Sequence, residues 1–477
     1  MRLSAHDASF LYSETASGPM HGVTLSVLNG EVEFNEIFSF FEARIHLVPR
    51  LRQRLLFVPF NMAHPKWVDD PEFNLSNHLK LHEVPEGTSM EQAIEIALEL
   101  GEPLLDRNKP LWLNYVIPAV ENQTLLVQMG HHAFLDGATA VAMSTVLTTT
   151  EPDSPPPVAA EKWKPGRLPT DEELVQEAMT EQAMAFSNSL TQGFNSNPVD
   201  VQKTTAVLAR LARPVMQAPW NAGAVGPKRK FCSIELTLDA FKYIRKSLGG
   251  TINDVAVSVV VESAARYMKA GGEFTDNQYL RLMCPVDARP PGDNPLEMEG
   301  NQVSGMFPIL EARPKSMAAR YVEVKQEMKG IKERGEAETL HTLQSTQPNF
   351  PPVMMAPTRF IGTPLDPTQA QAENPQPVPM NPGLRPQQFG FNFTVTNIPG
   401  PTWTQYVAGL EVLRSIGTLM LGGNLGLGVS IVSYNGKMSF CFTADPRLMP
   451  DLNGFSDLVQ EAFDELTTEA KTRQASA

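Results

Sequence analysis

Thr124-Leu-Leu-Val-Gln-Met-Gly-His-His-Ala-Phe-Leu-Asp-Gly-Ala-Thr-Ala-Val-Ala-Met143 is the stretch on which the reading of this chain turns. Its first six residues are apolar and strand-forming, Gly130-His131-His132 closes the run, and Ala138 onward has helical spacing. The pattern predicts a strand, a short loop and a helix, with two imidazoles at the strand end. An imidazole whose Nδ1 is held by a partner offers Nε2 as a proton acceptor near neutral pH, and general-base catalysis contributes about 10²- to 10⁴-fold. A backbone carbonyl can be that partner. Asp136 is the other candidate, unless it pairs with a cation such as Arg289 and holds the loop instead.

The plain alternative is that the histidines merely end a strand and Asp136 caps the helix by accepting backbone N–H groups. His131, His132, Asp136 and Gly137 falling together in one short string favours chemistry, because such a string is rare by chance. A metal site is not expected, since the other seven of the nine histidines show no companion ligand spacing.

Outward from this stretch, short β-rich runs alternate with amphipathic helices. Residues 22–28, 111–117 and 124–129 read as strands in the first half, and 279–285, 388–397, 425–434 and 438–444 in the second. Helices are predicted over 34–48, 90–100, 138–148, 171–190, 238–247, 252–270 and 316–334. Proline, 40 in all, marks the breaks. One cluster begins at Glu151-Pro-Asp-Ser-Pro-Pro-Pro. A second, eleven prolines between 348 and 386, predicts a mobile loop over about 348–388, with Met354-Met355 and Phe360-Ile361 as a greasy flap in the alternative. The fold class is therefore α/β (α+β) in two halves: 1–150, a linker with a helix over 151–230, and 231–477.

Lys and Arg number 39 against 53 Asp and Glu, a net charge of −14, which disfavours a nucleic-acid partner. Lys228-Arg229-Lys230 and Arg50, Arg52 and Arg54 read as solvated surface, with an anionic ligand or lipid headgroup as the alternative. Cys232, Cys284 and Cys441 lie far apart among apolar neighbours and read as reduced core residues. No signal-peptide run and no stretch of about 18 uncharged apolar residues occurs, so a cytoplasmic protein is expected. Any membrane contact would be peripheral, on the inner membrane or on lipid inclusions. There is no G-x-S-x-G elbow and no Walker loop, and Gly422-Gly-Asn-Leu-Gly-Leu-Gly reads as tight sheet turns.

His131 to Gly137 resembles the HHxxxDG signature of the CoA-dependent acyltransferase superfamily, which includes peptide-synthetase condensation domains. Leu3-Ser, Asp7-Ala-Ser-Phe-Leu-Tyr, Pro19-Met-His-Gly, Val48-Pro-Arg-Leu-Arg-Gln-Arg-Leu and Trp67-Val-Asp-Asp-Pro resemble the bacterial wax ester synthase/diacylglycerol acyltransferase family more narrowly. So do Pro110-Leu-Trp, Asn253-Asp254, Pro285-Val with Arg289, Gly300-Asn301, Asn397-Ile-Pro-Gly-Pro and Ser433-Tyr-Asn-Gly. The matches run in family order along nearly the whole chain. Leu113 departs from the pattern, which usually has a polar or acidic residue there.

The resemblance implies two chloramphenicol-acetyltransferase-like domains around a tunnel, with acyl-CoA as co-substrate and no cofactor. It implies acyl transfer to diacylglycerol or a long-chain alcohol, with His132 as base and His131 and Asp136 holding the loop. Asn253 is a candidate donor to the reacting carbonyl. Against that, Thr251 and Asp254 read as a capping box at the start of a helix, which would make the Asn-Asp pair structural. Pro110, Leu111 and Trp112 read as a core strand start more than a substrate contact. Two rivals are a condensation-type enzyme working on carrier-protein thioesters and a catalytically inactive lipid-binding protein.

Overall fold

A computed structural model describes residues 1–158, 163–191, 200–290, 292–297, 300–346, 387–388 and 390–475. The Pro/Gln-rich stretch expected to be a loop lies almost wholly outside these residues.

The first half opens with helix α1 (Ala5–Ser13), capped by Ser4, whose side chain accepts the Asp7 N–H at 3.0 Å. Strand β1 (His21–Leu28), helix α2 (Phe34–Glu42), strands β2 (Gln53–Leu56), β3 (Lys66–Asp69) and β4 (Leu79–Leu81) and helix α3 (Met90–Leu100) follow. The helix expected over 34–48 stops at Glu42, and the chain continues in short 3₁₀ turns over 45–47 and 49–52. Strands β5 (Trp112–Val120) and β6 (Gln123–His131) form a hairpin, and helix α4 (Gly137–Leu147) leaves its end. Glu121 and Asn122 both have positive φ, 53° and 59°, the geometry that matches a two-residue turn to strand twist.

The connection contains helix α5 (Asp171–Thr191), then α6 (Val201–Leu211) and strand β7 (Val215–Met216), where an irregular stretch was expected. The second half runs β8 (Lys230–Thr237), α7 (Leu238–Leu248), α8 (Ile252–Ala270), β9 (Tyr279–Asp287), β10 (Val303–Met306), β11 (Ile309–Glu311), α9 (Met317–Glu333) and α10 (Glu336–Thr346). After β12 (Gln387–Gln388) come β13 (Phe393–Pro399), β14 (Tyr406–Val407), β15 (Leu410–Gly417), β16 (Leu427–Tyr434), β17 (Lys437–Ala444) and a last helix, Leu452–Ala475. Asn435-Gly436, with φ 45° and 78°, turns β16 into β17. Helix α8 is buried on nearly every side, between the second sheet, α9 and the last helix, as its Val/Ala-rich sequence requires.

Two sheets result. One has the order β14-β15-β1-β6-β5-β4, the other β10-β9-β13-β16-β17-β8 with β11 also on β9. The first sheet is therefore not confined to residues 1–150: β15 pairs antiparallel with β1, Thr24 opposite Gly417 and Ser26 opposite Ser415. A strand counted with the C-terminal unit on sequence completes the N-terminal sheet, and β16 returns to the other, where the Ser430 hydroxyl donates to Gly417 O at 2.5 Å. Local composition marks 410–417 as a strand-former but carries no information about which edge it joins.

One face of the first sheet packs Val23, Leu25, Val127 and Met129 against Ala93 and Ala97 of α3. The other face is covered by α4 and by β13 and β16 of the second half, leaving a cavity between them. The basic clusters are solvated only in part, Lys228 being exposed while one arginine of each cluster is turned inward. Arg52 is buried with its guanidinium over Trp163 at 4.5 Å, and Arg229 donates to Ser17 O at 2.8 Å and to the Gly226 carbonyl.

Candidate active site

Successive residues of a strand face opposite sides of the sheet, and this separates the two imidazoles. His131 is the last residue of β6 and is fully buried. Its Nδ1 accepts the Ala133 N–H at 3.0 Å, which places its proton on Nε2, 3.2 Å from Glu14 Oε1. Glu14 also accepts the Met20 N–H at 3.0 Å and the Arg107 guanidinium at 2.9 Å. Burial alone would raise the Glu14 carboxyl, but the His131 contact, the Met20 N–H and Arg107 outweigh it and hold the group down at about 2. Glu14 thus fixes the loop from below. No sequence signal pointed to it, because it meets His131 across 117 residues of chain.

His132 turns the other way and lines the cavity. Its backbone is gripped on both sides: its N–H donates to Met20 O at 2.7 Å, and its carbonyl accepts the Asn301 Nδ2–H at 2.6 Å. Phe10 stacks on its ring, centroids 4.3 Å apart and planes 24° apart. Nδ1 is the enclosed ring nitrogen, without a hydrogen-bond partner beyond its own residue among the described residues. Nε2 is the nitrogen left open to the cavity. Burial pushes the imidazole down to about 4, with the Asp136 charge opposing only in part, so the ring is neutral at pH 7 and able to accept a proton.

Asp136 does not touch the base. Its Oδ1 accepts the Thr139 N–H at 2.9 Å as the cap of α4, and its Oδ2 takes an Arg289 N–H at 2.6 Å. Arg289 also donates to Thr139 Oγ1 at 3.2 Å and to Asp287 at 3.0 Å. Burial would raise the Asp136 carboxyl, but the Thr139 N–H and Arg289 hold it below its ordinary value. The ion pair ties the α4 cap in the first half to the end of β9 in the second. Gly137 is needed for the same junction, since a Cβ there would lie 3.2 Å from the Ile398 Cδ1 of β13. Asn301 adds a further tie, its N–H donating to Asp7 Oδ1 at 3.0 Å while its side chain holds His132.

The remaining candidates separate. Leu111 O accepts the His131 N–H at 3.0 Å and so supports the histidine strand. Pro110 and Leu111 are buried, while Trp112 does both jobs: its Nε1–H donates to Leu51 O at 2.8 Å and its ring forms cavity wall. Asn253 is not in the cavity lining; its Oδ1 accepts from Asn397 Nδ2 at 3.3 Å. Asp254 completes the capping box with Thr251, accepting its N–H at 2.7 Å and donating its own at 3.1 Å. The thiols of Cys284 and Cys441 are pushed by burial to about 12 and that of Cys232 to about 11, which rules them out as ready nucleophiles. Among the described residues no group of three or more metal-ligating side chains converges, and no helix is long and apolar enough to cross a membrane.

The cavity has a volume of about 260 Å³. Its floor is β5, β6, β1 and β15, its roof the α4 face of Ala140, Val141, Ser144 and Leu147, and its far wall Ile398, Pro401 and Val432. Away from His132 it is lined by Phe41, Ile45, Leu51, Leu126 and Val412. A neutral imidazole thus opens on a mainly apolar space between two α/β halves, the second of which lends a strand to the sheet of the first, the arrangement of a chloramphenicol-acetyltransferase-like acyltransferase.

Comparison with known proteins places it further. Residues 3–256 match the wax ester synthase/diacylglycerol acyltransferase catalytic domain and residues 299–467 the C-terminal domain of the same family. The chain belongs to the wax ester synthase/diacylglycerol acyltransferase family. A Mycobacterium tuberculosis protein named as a diacylglycerol O-acyltransferase is 26% identical over 489 residues, covering 98% of this chain and 90% of its own. The wax ester synthase/diacylglycerol acyltransferase from Marinobacter aquaeolei VT8 shares the fold with TM-score 0.64 at 19% identity, over 99% of this chain and 100% of that one. The starter condensation domain of rhizomide synthetase in complex with C8-CoA shares it with TM-score 0.57 at 13% identity, over 98% and 94%.

Proposed function

We propose that the protein is an acyl-CoA-dependent O-acyltransferase that moves a fatty acyl group to diacylglycerol, to a long-chain alcohol, or to both, with His132 as general base. The observation that carries this reading is the open, neutral Nε2 of His132 on an apolar cavity built by both halves. Nε2 takes the proton of the acceptor hydroxyl as its oxygen attacks the thioester carbonyl carbon. The tetrahedral intermediate then expels the CoA thiolate as the C–S bond breaks, and His132 returns the proton to sulfur, giving the ester and free CoA. The oxyanion needs a donor. The Gly137 N–H, at the start of α4 on the cavity edge, is one candidate; Asn253 is the other, its Nδ2–H not used in the Asn397 contact, and it would have to turn into the cavity.

His131 and Asp136 position the loop, each through its own carboxylate or cation partner. Acyl-CoA is the donor and no cofactor or metal is required by this route. Family membership over both halves favours lipid acceptors over carrier-protein thioesters. His132→Ala is expected to abolish CoA release from palmitoyl-CoA with diolein or hexadecanol while the melting temperature stays near wild type. Unchanged turnover in that variant would refute the assignment.

A further inference from the structure

The cavity is apolar at its deep end, yet a polar rung crosses its floor. Asn114 on β5 stands opposite Gln128 on β6, and Gln128 stands opposite Thr24 on β1. Residues directly opposite in an antiparallel pair face the same side, and all three line the cavity. Asn114 is only 8% exposed, and its carboxamide makes no hydrogen bond among the described residues. Gln128 accepts from the Ser26 hydroxyl at 3.2 Å through Oε1 and has its amide N–H groups to spare. Thr24 is exposed although β1 lies inside the six-stranded sheet, because its side chain faces the cavity.

A hydrocarbon chain that displaced water from this carboxamide would leave it unpaired at a cost of about 1–3 kcal/mol and would satisfy none of these groups. Beyond the rung the floor turns apolar again at Leu126, with Phe41, Ile45 and Leu147 around it. Toward the base the strands carry Gly22 opposite Gly130, with the Leu135 side chain lying over Gly130 and Trp112 beside it. A chain that runs past Leu135 reaches from His132 to the rung and buries a hydrocarbon tail beyond it.

We propose that Asn114, Gln128 and Thr24 form a subsite for an oxygen function, a hydroxyl or carbonyl, carried in the middle of one of the two long chains. The proposal deepens the acyl-transfer reading and rests on it for the position of the reacting carbon. Four residues of extended chain separate His132 from Gln128, about 14 Å at about 3.4 Å per residue. A saturated chain with bonds of about 1.5 Å advances about 1.25 Å per carbon, which puts the oxygen about eleven bonds from the reacting centre.

The test begins with binding. Displacement of a fluorescent fatty acid by 12-hydroxystearic and by stearic acid should show the hydroxylated acid bound about five- to tenfold more tightly. Asn114→Val with Gln128→Leu should bring that ratio close to one, with a thermal melt to confirm folding. Equal displacement by the two acids in the unaltered protein overturns the proposal, whatever the variant does. Turnover then assigns the chain. A preference for 12-hydroxystearoyl-CoA over stearoyl-CoA with hexadecanol places the rung on the acyl side, and a preference for octadecane-1,12-diol over octadecanol with stearoyl-CoA places it on the acceptor side. Tighter binding without turnover of any CoA thioester would remove the acyl-transfer reading and keep the rung; turnover with no binding preference would do the reverse.

Discussion

Asp136→Asn is the substitution that best separates positioning from chemistry at this site. Asn caps a helix about as well as Asp, so the Thr139 N–H keeps its acceptor and α4 keeps its start. What is lost is the negative charge facing Arg289. The side chains of Asp136 and Arg289 are 1% and 3% exposed, so neither can turn to water. Among the described residues Arg289 retains as charged partner only Asp287, whose side chain is 47% exposed, beside the neutral Thr139 hydroxyl. A charge-assisted hydrogen bond of this kind is worth about 1.5–3 kcal/mol, and the expected loss is about 2 kcal/mol, or a fall of about 2 °C in the melting temperature of a 477-residue chain.

Combining Asp136→Asn with Arg289→Met in a double-mutant cycle should give a coupling of at least about 1 kcal/mol. The effect also has a pH signature. Because the folded Asp136 carboxyl lies below its ordinary 3.8, the ion pair contributes fully above that value and is lost as pH falls through and below it. Wild type and Asp136→Asn should therefore converge in urea melts toward acid pH. Turnover should fall together with stability. A variant with the wild-type melt, no coupling to Arg289 and no activity would refute the argument and put Asp136 in the chemistry.

Other expectations follow from the same geometry. Burial holds the His132 imidazole at about 4, so the acid limb of kcat/KM should lie well below the ordinary 6.5 of histidine; a limb at 6.5 would show the base to be solvated in the working enzyme. Since unfolding lets that imidazole take up a proton, His132 also costs stability as pH falls from 6.5 toward 4, and His132→Ala should melt less pH-sensitively across that window. Glu14→Gln strips His131 and Arg107 of their charge partner and should lower kcat by about tenfold or more while KM changes little, checked by steady-state CoA release. Gly137→Ala pushes a methyl to 3.2 Å from Ile398 Cδ1 and should cost about 1 kcal/mol, recovered in calorimetry when Ile398→Val makes room.

Much of the site could be read in one strand, loop and helix. The apolar run to Met129, the residues of the His131–Gly137 string and the helical spacing after it are local facts, set by propensity and by period, and the Thr251/Asp254 capping box is equally local. The Asn435-Gly436 turn is of the same kind, because a two-residue hairpin demands positive φ and the residue types announce it. What no local pattern encodes is partnership across distance. Glu14 beneath His131, Asn301 on the carbonyl of His132, and β15 joining the other half's sheet are contacts between segments separated by 117, 169 and about 390 residues. Each depends on how two sheets dock.

Neighbouring residues dictate elements and their ends, and they suffice to put an imidazole at a strand end beside a capped helix. Which of the two histidines is free depends on how the halves dock. The alternation of a strand sends His131 inward to a carboxylate and His132 outward to a cavity, and that cavity is closed off only where β13 and β16 of the second half dock as its far wall.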